Sequence, residues 1–88
     1  MEFEWDEAKD VENRRKHGLG LAHAVGLDWA GADIAPDKRK DYGEARSVAI
    51  ADLNGRLHVC VFVWRGVAKR IISLRKANSR EVRRHGPD

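Results

Sequence analysis

Asn54-Gly55, set between two runs of β-forming residues, constrains this chain more than any other feature. An Asn-Gly pair fits a two-residue hairpin loop because both residues accept the positive φ that so tight a reversal requires. Leu57 to Trp64, the longest apolar run, is broken only by His58 and alternates Val59, Val61 and Val63 with Cys60 and Phe62. β-Branched and aromatic residues at that density predict a strand rather than a helix. With Asn54 and Gly55 as the loop, Asp52 faces Leu57, Ile50 faces Val59 and Val48 faces Val61.

Arg65-Gly66 offers a second reversal, after which Ala68 to Arg75 returns as a basic strand with Lys69, Arg70 and Arg75 around Ile71 and Ile72. If Arg65 and Gly66 form that loop, Val63 faces Ala68, Val61 faces Arg70, Val59 faces Ile72 and Leu57 faces Leu74. The two hairpins then agree on one sheet face made of Val48, Ile50, Leu57, Val59, Val61, Ile72 and Leu74. The opposite face carries Ser47, Ala49, Ala51, Cys60, Phe62 and Ile71 together with His58, Lys69, Ser73 and Arg75. That second face is expected to be a shallow floor of small and polar residues on which a polyanion lies.

The rest of the chain predicts supporting elements. Glu2-Phe3-Glu4-Trp5 alternates charged and aromatic residues, a short strand burying Phe3 and Trp5. Asp6 is an N-cap for a helix to about His17, where Arg14, Arg15, Lys16 and His17 sit at the negative end and Gly18 takes the left-handed cap. Leu19 to about Leu27 predicts a second short helix, weakened by Gly20 and Gly26. An edge strand follows over Ala32 to Pro36, then a charged loop and a strand from Glu44 to Leu53. Asn78 and Glu81 have capping-box spacing at the start of a short basic helix, Ser79 to His85, ended by Gly86-Pro87. The expected fold is one α+β domain over residues 1–88: a small antiparallel β-sheet, two N-terminal helices and a short C-terminal helix.

Charge is unevenly distributed. Residues 1–55 hold 8 basic and 12 acidic side chains, whereas residues 56–88 hold 9 basic and 2 acidic ones. The basic half points to an acidic partner such as nucleic acid. With Cys60 the sole cysteine, an intrachain disulfide is excluded, and its place in the apolar strand predicts a buried structural thiol. No apolar stretch approaches the ~18 residues of a membrane span, and the acidic start is unlike a signal peptide, so a cytoplasmic protein without a membrane partner is expected.

Familiar catalytic motifs are missing from the sequence. His17, His23, His58 and His85 are scattered, with no metal-ligand spacing, and there is no phosphate-binding glycine loop or nucleophile elbow. Neither a cofactor nor a metal is expected. What remains is a set of cations, Arg46, Arg65, Lys69, Arg70, Arg75 and Lys76. Such groups bind phosphates and stabilise the extra negative charge of a pentacoordinate phosphorane. RNA brings its own nucleophile, the 2′-hydroxyl, so cleavage needs only in-line geometry, cations, a proton acceptor and a proton donor. Glu44, two residues from Arg46, reads either as a general base or as half of a surface ion pair. His17 reads either as a helix cap or as a proton-transfer group, and His58 either as a hydrogen-bonded core residue or as a shuttle.

Phe3-Glu-Trp-Asp-Glu-Ala-Lys9, followed by Asn13 and Lys16-His17-Gly18, resembles the opening signature of BrnT-type toxins. Gly55-Arg-Leu, Arg65-Gly66 and Arg70-Ile-Ile-Ser-Leu-Arg-Lys-Ala77 resemble the second signature of that family. The resemblance implies a RelE-like fold and a metal-independent endoribonuclease toxin of a bacterial type II toxin–antitoxin module. It implies RNA as substrate and a BrnA-like antitoxin as partner, with operator DNA reached only through the toxin–antitoxin complex. Carried onto this chain, it gives Arg70, Arg75, Arg46, Glu44 and His17 as catalytic candidates. Lys16, Arg65, Lys69, Ser73, Lys76 and Arg80 are the RNA-binding candidates. Family members often have a glutamate immediately before the hairpin arginine, where this chain has Trp64. That departure favours the alternative, a non-catalytic module binding nucleic acid or protein through the same basic surface.

Overall fold

The computed structural model describes residues 2–39 and 41–85. Five strands form one sheet in the order β1-β5-β4-β3-β2, with β1 at Glu2–Trp5, β2 at Asp33–Pro36, β3 at Ser47–Leu53, β4 at Arg56–Arg65 and β5 at Ala68–Lys76. Helix α1 spans Glu7–His17, two 3-10 segments cover Leu21–Gly26 and Trp29–Gly31, and α2 spans Ser79–His85. The architecture is α+β, as the residue pattern predicts, but the sheet is mixed rather than antiparallel. β1 runs parallel to β5, from Glu2 against Ala68 to Trp5 against Ile71. The second predicted helix is the 3-10 segment Leu21–Gly26, preceded by Gly20, which offers no side chain to cap it.

Local signals account for most element boundaries. The Asp6 carboxylate accepts the Ala8 N–H, and Gly18 closes α1 at φ 71°, a left-handed conformation cheap only for glycine. Asn54 and Gly55 both have positive φ, at 52° and 83°, and the β3–β4 register is the one their loop dictates, with Asp52 against Leu57 and Ile50 against Val59. At the C-terminal helix, Asn78 and Glu81 exchange hydrogen bonds, N–H to carboxylate at 2.8 Å and N–H to amide oxygen at 2.9 Å.

The second hairpin departs from expectation in two ways. Its loop is Gly66-Val67, so Arg65 pairs with Ala68 and Val63 with Arg70. Further along, the register slips: Phe62 faces Ile71 but Val61 faces Ser73, which leaves Ile72 as an extra residue, a β-bulge. Because side chains alternate, one extra residue moves everything beyond it to the other face. Leu74 therefore joins Cys60 on one side, while Arg70, Ser73 and Arg75 all lie on the valine side.

The face expected to be open carries the main core, and Val59, Val61 and Val63 on the other face are buried too. Ala49, Ala51, Cys60, Phe62, Ile71 and Leu74 pack with Leu21, Ala24 and Leu27 as the core. Ala49 and Ala51 are small residues within this core, not a floor left open for a ligand. Trp29 closes this layer, its ring 5.4 Å from Phe62 and 5.8 Å from Phe3, with its indole N–H on the Ala24 carbonyl at 2.9 Å. His58 is buried, with Nδ1 2.8 Å from the Arg56 carbonyl. Cys60 is a free, fully buried thiol whose pKa burial pushes up to about 12.

Candidate active site

On the valine face, a hollow of about 360 Å³ has Val48, Ile50, Val59 and Val61 as its floor and His17, Ser73, Arg75, Glu81, Asp37 and Arg39 among its walls. Three separate devices bring these side chains together. The bulge at Ile72 turns Ser73 and Arg75 toward the hollow. Helix α1 delivers His17 at its last position, fixed against β5 by Asn13. Past Pro36, the chain leaves the β2 edge with the Asp37 N–H bound to the Arg46 carbonyl at 2.8 Å, which places Arg39 at the rim.

Two arginines at the hollow are each clamped by a carboxylate. Arg75 makes a two-pronged pair with Glu81, both contacts at 2.8 Å. That hydrogen-bonded pair holds the Glu81 carboxyl down at about 2 and raises Arg75. Arg39 makes the same fork on Asp37, again at 2.8 Å twice, and Asp37 also accepts the Arg39 N–H at 3.2 Å. The Arg39 guanidinium keeps the Asp37 carboxyl well below the usual carboxylate range. The two cations are near enough that the charge on Arg39 works against the rise at Arg75. Two guanidinium planes, a hydroxyl and an imidazole over an apolar floor form an arrangement suited to a phosphodiester.

Of the residues picked out by sequence, His17, Ser73 and Arg75 line this hollow. Arg70 faces the same side of the sheet but lies toward β1, paired with Glu4 at 3.8 Å. Lys16 is exposed, 3.8 Å from Glu12, beside a smaller hollow that it shares with His17 and Ser73. Arg46 and Glu44 do not line either hollow; they pair with each other at 3.2 Å, and Arg46 also stacks 4.1 Å over the Tyr42 ring. Arg65, Lys76 and Arg80 are exposed on strand ends and α2. Lys69 is buried on the core face, its ammonium 4.5 Å from the Trp29 ring and 4.6 Å from Trp64, and burial lowers its pKa.

A family model described as ribonuclease toxin, BrnT, of type II toxin-antitoxin system matches residues 5–81. The chain belongs to the BrnT family. It is thereby a member of a group of ribonuclease toxins from type II toxin–antitoxin systems, which implies an RNA target and an antitoxin partner. A comparison with curated proteins gives no match. Among the described residues, no helix of this BrnT chain is long and apolar enough to cross a membrane.

Sequence reading passed over Asp37, Arg39 and Glu81 as site residues in this BrnT protein. Arg39 follows Pro36 by three positions in a stretch that reads as a charged loop, and only the fold shows that the loop returns along β3. The Asp37-x-Arg39 spacing was the available signal, since two residues apart in a turn lets a carboxylate reach both the backbone N–H and the guanidinium. Glu81 was visible only as a capping residue, which it also is.

Proposed function

We propose that this BrnT chain is a metal-independent endoribonuclease that holds the scissile phosphate of RNA in the hollow between Arg39 and Arg75. The observation that carries the reading is the convergence of both guanidiniums with His17 and Ser73 around one apolar floor. In-line attack by the RNA 2′-oxygen on phosphorus forms a 2′,3′-cyclic phosphate and expels the 5′-oxygen of the next nucleotide. Arg39 and Arg75 neutralise the non-bridging oxygens as the phosphorane forms, and the Ser73 hydroxyl donates a third hydrogen bond. His17 is the proton-transfer group at the hollow, taking the 2′-hydroxyl proton or protonating the departing oxygen. Glu81, held near 2 by Arg75, is too weak a base for that task while the pair persists.

The remaining cations extend the track. Arg70, Lys16, Lys76, Arg65 and Arg80 bind flanking phosphates, and the Arg46–Glu44 pair supports the loop that carries Arg39. Lys69 acts through the aromatic core beneath the strand. A DNA-binding, BrnA-like antitoxin covers the hollow and brings the complex to operator DNA, and kinship with RelE toxins belongs to the same reading. The test is incubation of purified protein with RNA in excess chelator. Fragments ending in cyclic phosphate, lost in Arg75→Ala, are expected. Cleavage only on adding metal, or fragments with 5′-phosphates, would overturn the mechanism, and salt-sensitive binding without fragments would establish the non-catalytic module instead.

A further inference from the structure

Helix α2 crosses the valine face with little apolar hold on it. None of its residues is buried, and Val82, the aliphatic side chain of the helix, is 41% exposed. On one side Glu81 lines the hollow of Arg75; on the other Val82 and His85 line a further hollow of about 540 Å³, and Ile50 borders both. Among the described residues, polar contacts that tie the helix down are the Arg75–Glu81 fork and His85 Nε2 at 3.6 Å from Asp33. Glu81 also accepts the Asn78 N–H, so one carboxylate both starts the helix and fastens it to β5.

A carboxylate in a guanidinium fork presents two oxygens to two N–H donors, as the non-bridging oxygens of a phosphodiester do. The same donors cannot serve both at once. We propose that Glu81 is a self-mask: its carboxylate occupies the Arg75 phosphate site in the free protein, and RNA displaces it and loosens α2. The inference rests on the hollow being the RNA site. Apparent affinity is then the intrinsic affinity reduced by the fraction of molecules unmasked.

The experiment measures Kd for a non-cleavable 2′-O-methyl RNA by fluorescence anisotropy at fixed salt. Glu81→Gln keeps the shape and the acceptor for Asn78 but removes the charge. It should bind about 3- to 10-fold more tightly, as expected for release of a partly exposed pair. Glu7→Gln, on an exposed side chain at the start of α1, sets the gain due to net charge alone. Glu81→Gln binding no more tightly than that baseline overturns the mask while leaving the RNA site standing. Failure of all three proteins to bind RNA sinks the RNA reading and the mask with it. Hydrogen exchange on the unmodified chain gives a readout that no substitution disturbs. Amides of 79–85 should exchange faster with RNA bound, and slower or unchanged exchange overturns the mask.

Discussion

The side-chain amide of Asn13 takes the place of a strand beside Leu74. Its Nδ2 donates to the Leu74 carbonyl at 2.8 Å, and its Oδ1 accepts the Leu74 N–H at 3.1 Å, while the same amide also reaches the Leu19 carbonyl at 2.8 Å. β1 stops pairing at Ile71, so the edge of β5 beyond it would otherwise leave a buried N–H and C=O without partners. Three residues earlier, Asp10 accepts the Leu21 N–H at 2.7 Å and pins the chain leaving α1. These two polar side chains fix the end of α1, and with it His17, against the bulged strand.

Asn13→Leu should therefore cost about 2–6 kcal/mol, since it strands the buried N–H and C=O of Leu74, each carrying a penalty of roughly 1–3 kcal/mol. Urea unfolding followed by circular dichroism measures it. A loss below about 1 kcal/mol would show that the β5 edge does not depend on the amide.

Arg75→Ala and Arg39→Ala should each lower kcat for RNA cleavage by roughly 10²–10³, the usual effect of removing one donor to a developing oxyanion. Arg46→Ala should cost far less, because its guanidinium is turned to Glu44 and Tyr42. Initial rates on a short RNA, with circular dichroism to show that each variant is folded, decide between these ranks. Equal losses at all three positions would relocate the site toward the Glu44–Arg46 loop.

Acid should unfold the protein partly through Glu81 and Asp37. Both carboxyls titrate lower in the folded chain than in the unfolded one, Glu81 at about 2 against an ordinary value near 4.5. Between those values the unfolded chain binds more protons, so the stabilisation is complete above about pH 4.5 and disappears as pH falls toward 2. Melting temperature plotted from pH 2 to 6 should fall on the acid side, and Glu81→Gln should flatten that limb. An unchanged slope in the variant would show that the Arg75 pair contributes nothing to acid stability.

Cys60 should be inert in the folded protein. With the thiol pushed up to about 12 and no surface exposed, its thiolate fraction at neutral pH is on the order of 10⁻⁵. Labelling with a thiol-specific disulfide reagent should be slow and should accelerate across the unfolding transition in urea. Rapid labelling without denaturant would mean that the core layer opens far more readily than its packing suggests.

Local chemistry is legible in the residues. Asp6, Gly18, Asn54-Gly55 and the Asn78–Glu81 box each name a boundary or turn because one residue's own geometry or hydrogen bonding sets it. The β3–β4 register follows from that turn alone. From the sequence come also the family and the candidacy of His17, Ser73 and Arg75. What lies beyond local geometry came from the tertiary structure. Period-two alternation groups the residues of a strand by face, yet it cannot say which face a helix will cover, nor detect an extra residue. Leu21, Ala24 and Leu27 join Ala49, Ala51, Cys60 and Phe62 in one cluster, which made the small-residue face the core. The bulge at Ile72 then carried Ser73 and Arg75 to the opposite side. Their meeting with Arg39 depends on contacts across dozens of residues, and no neighbour in the chain encodes it.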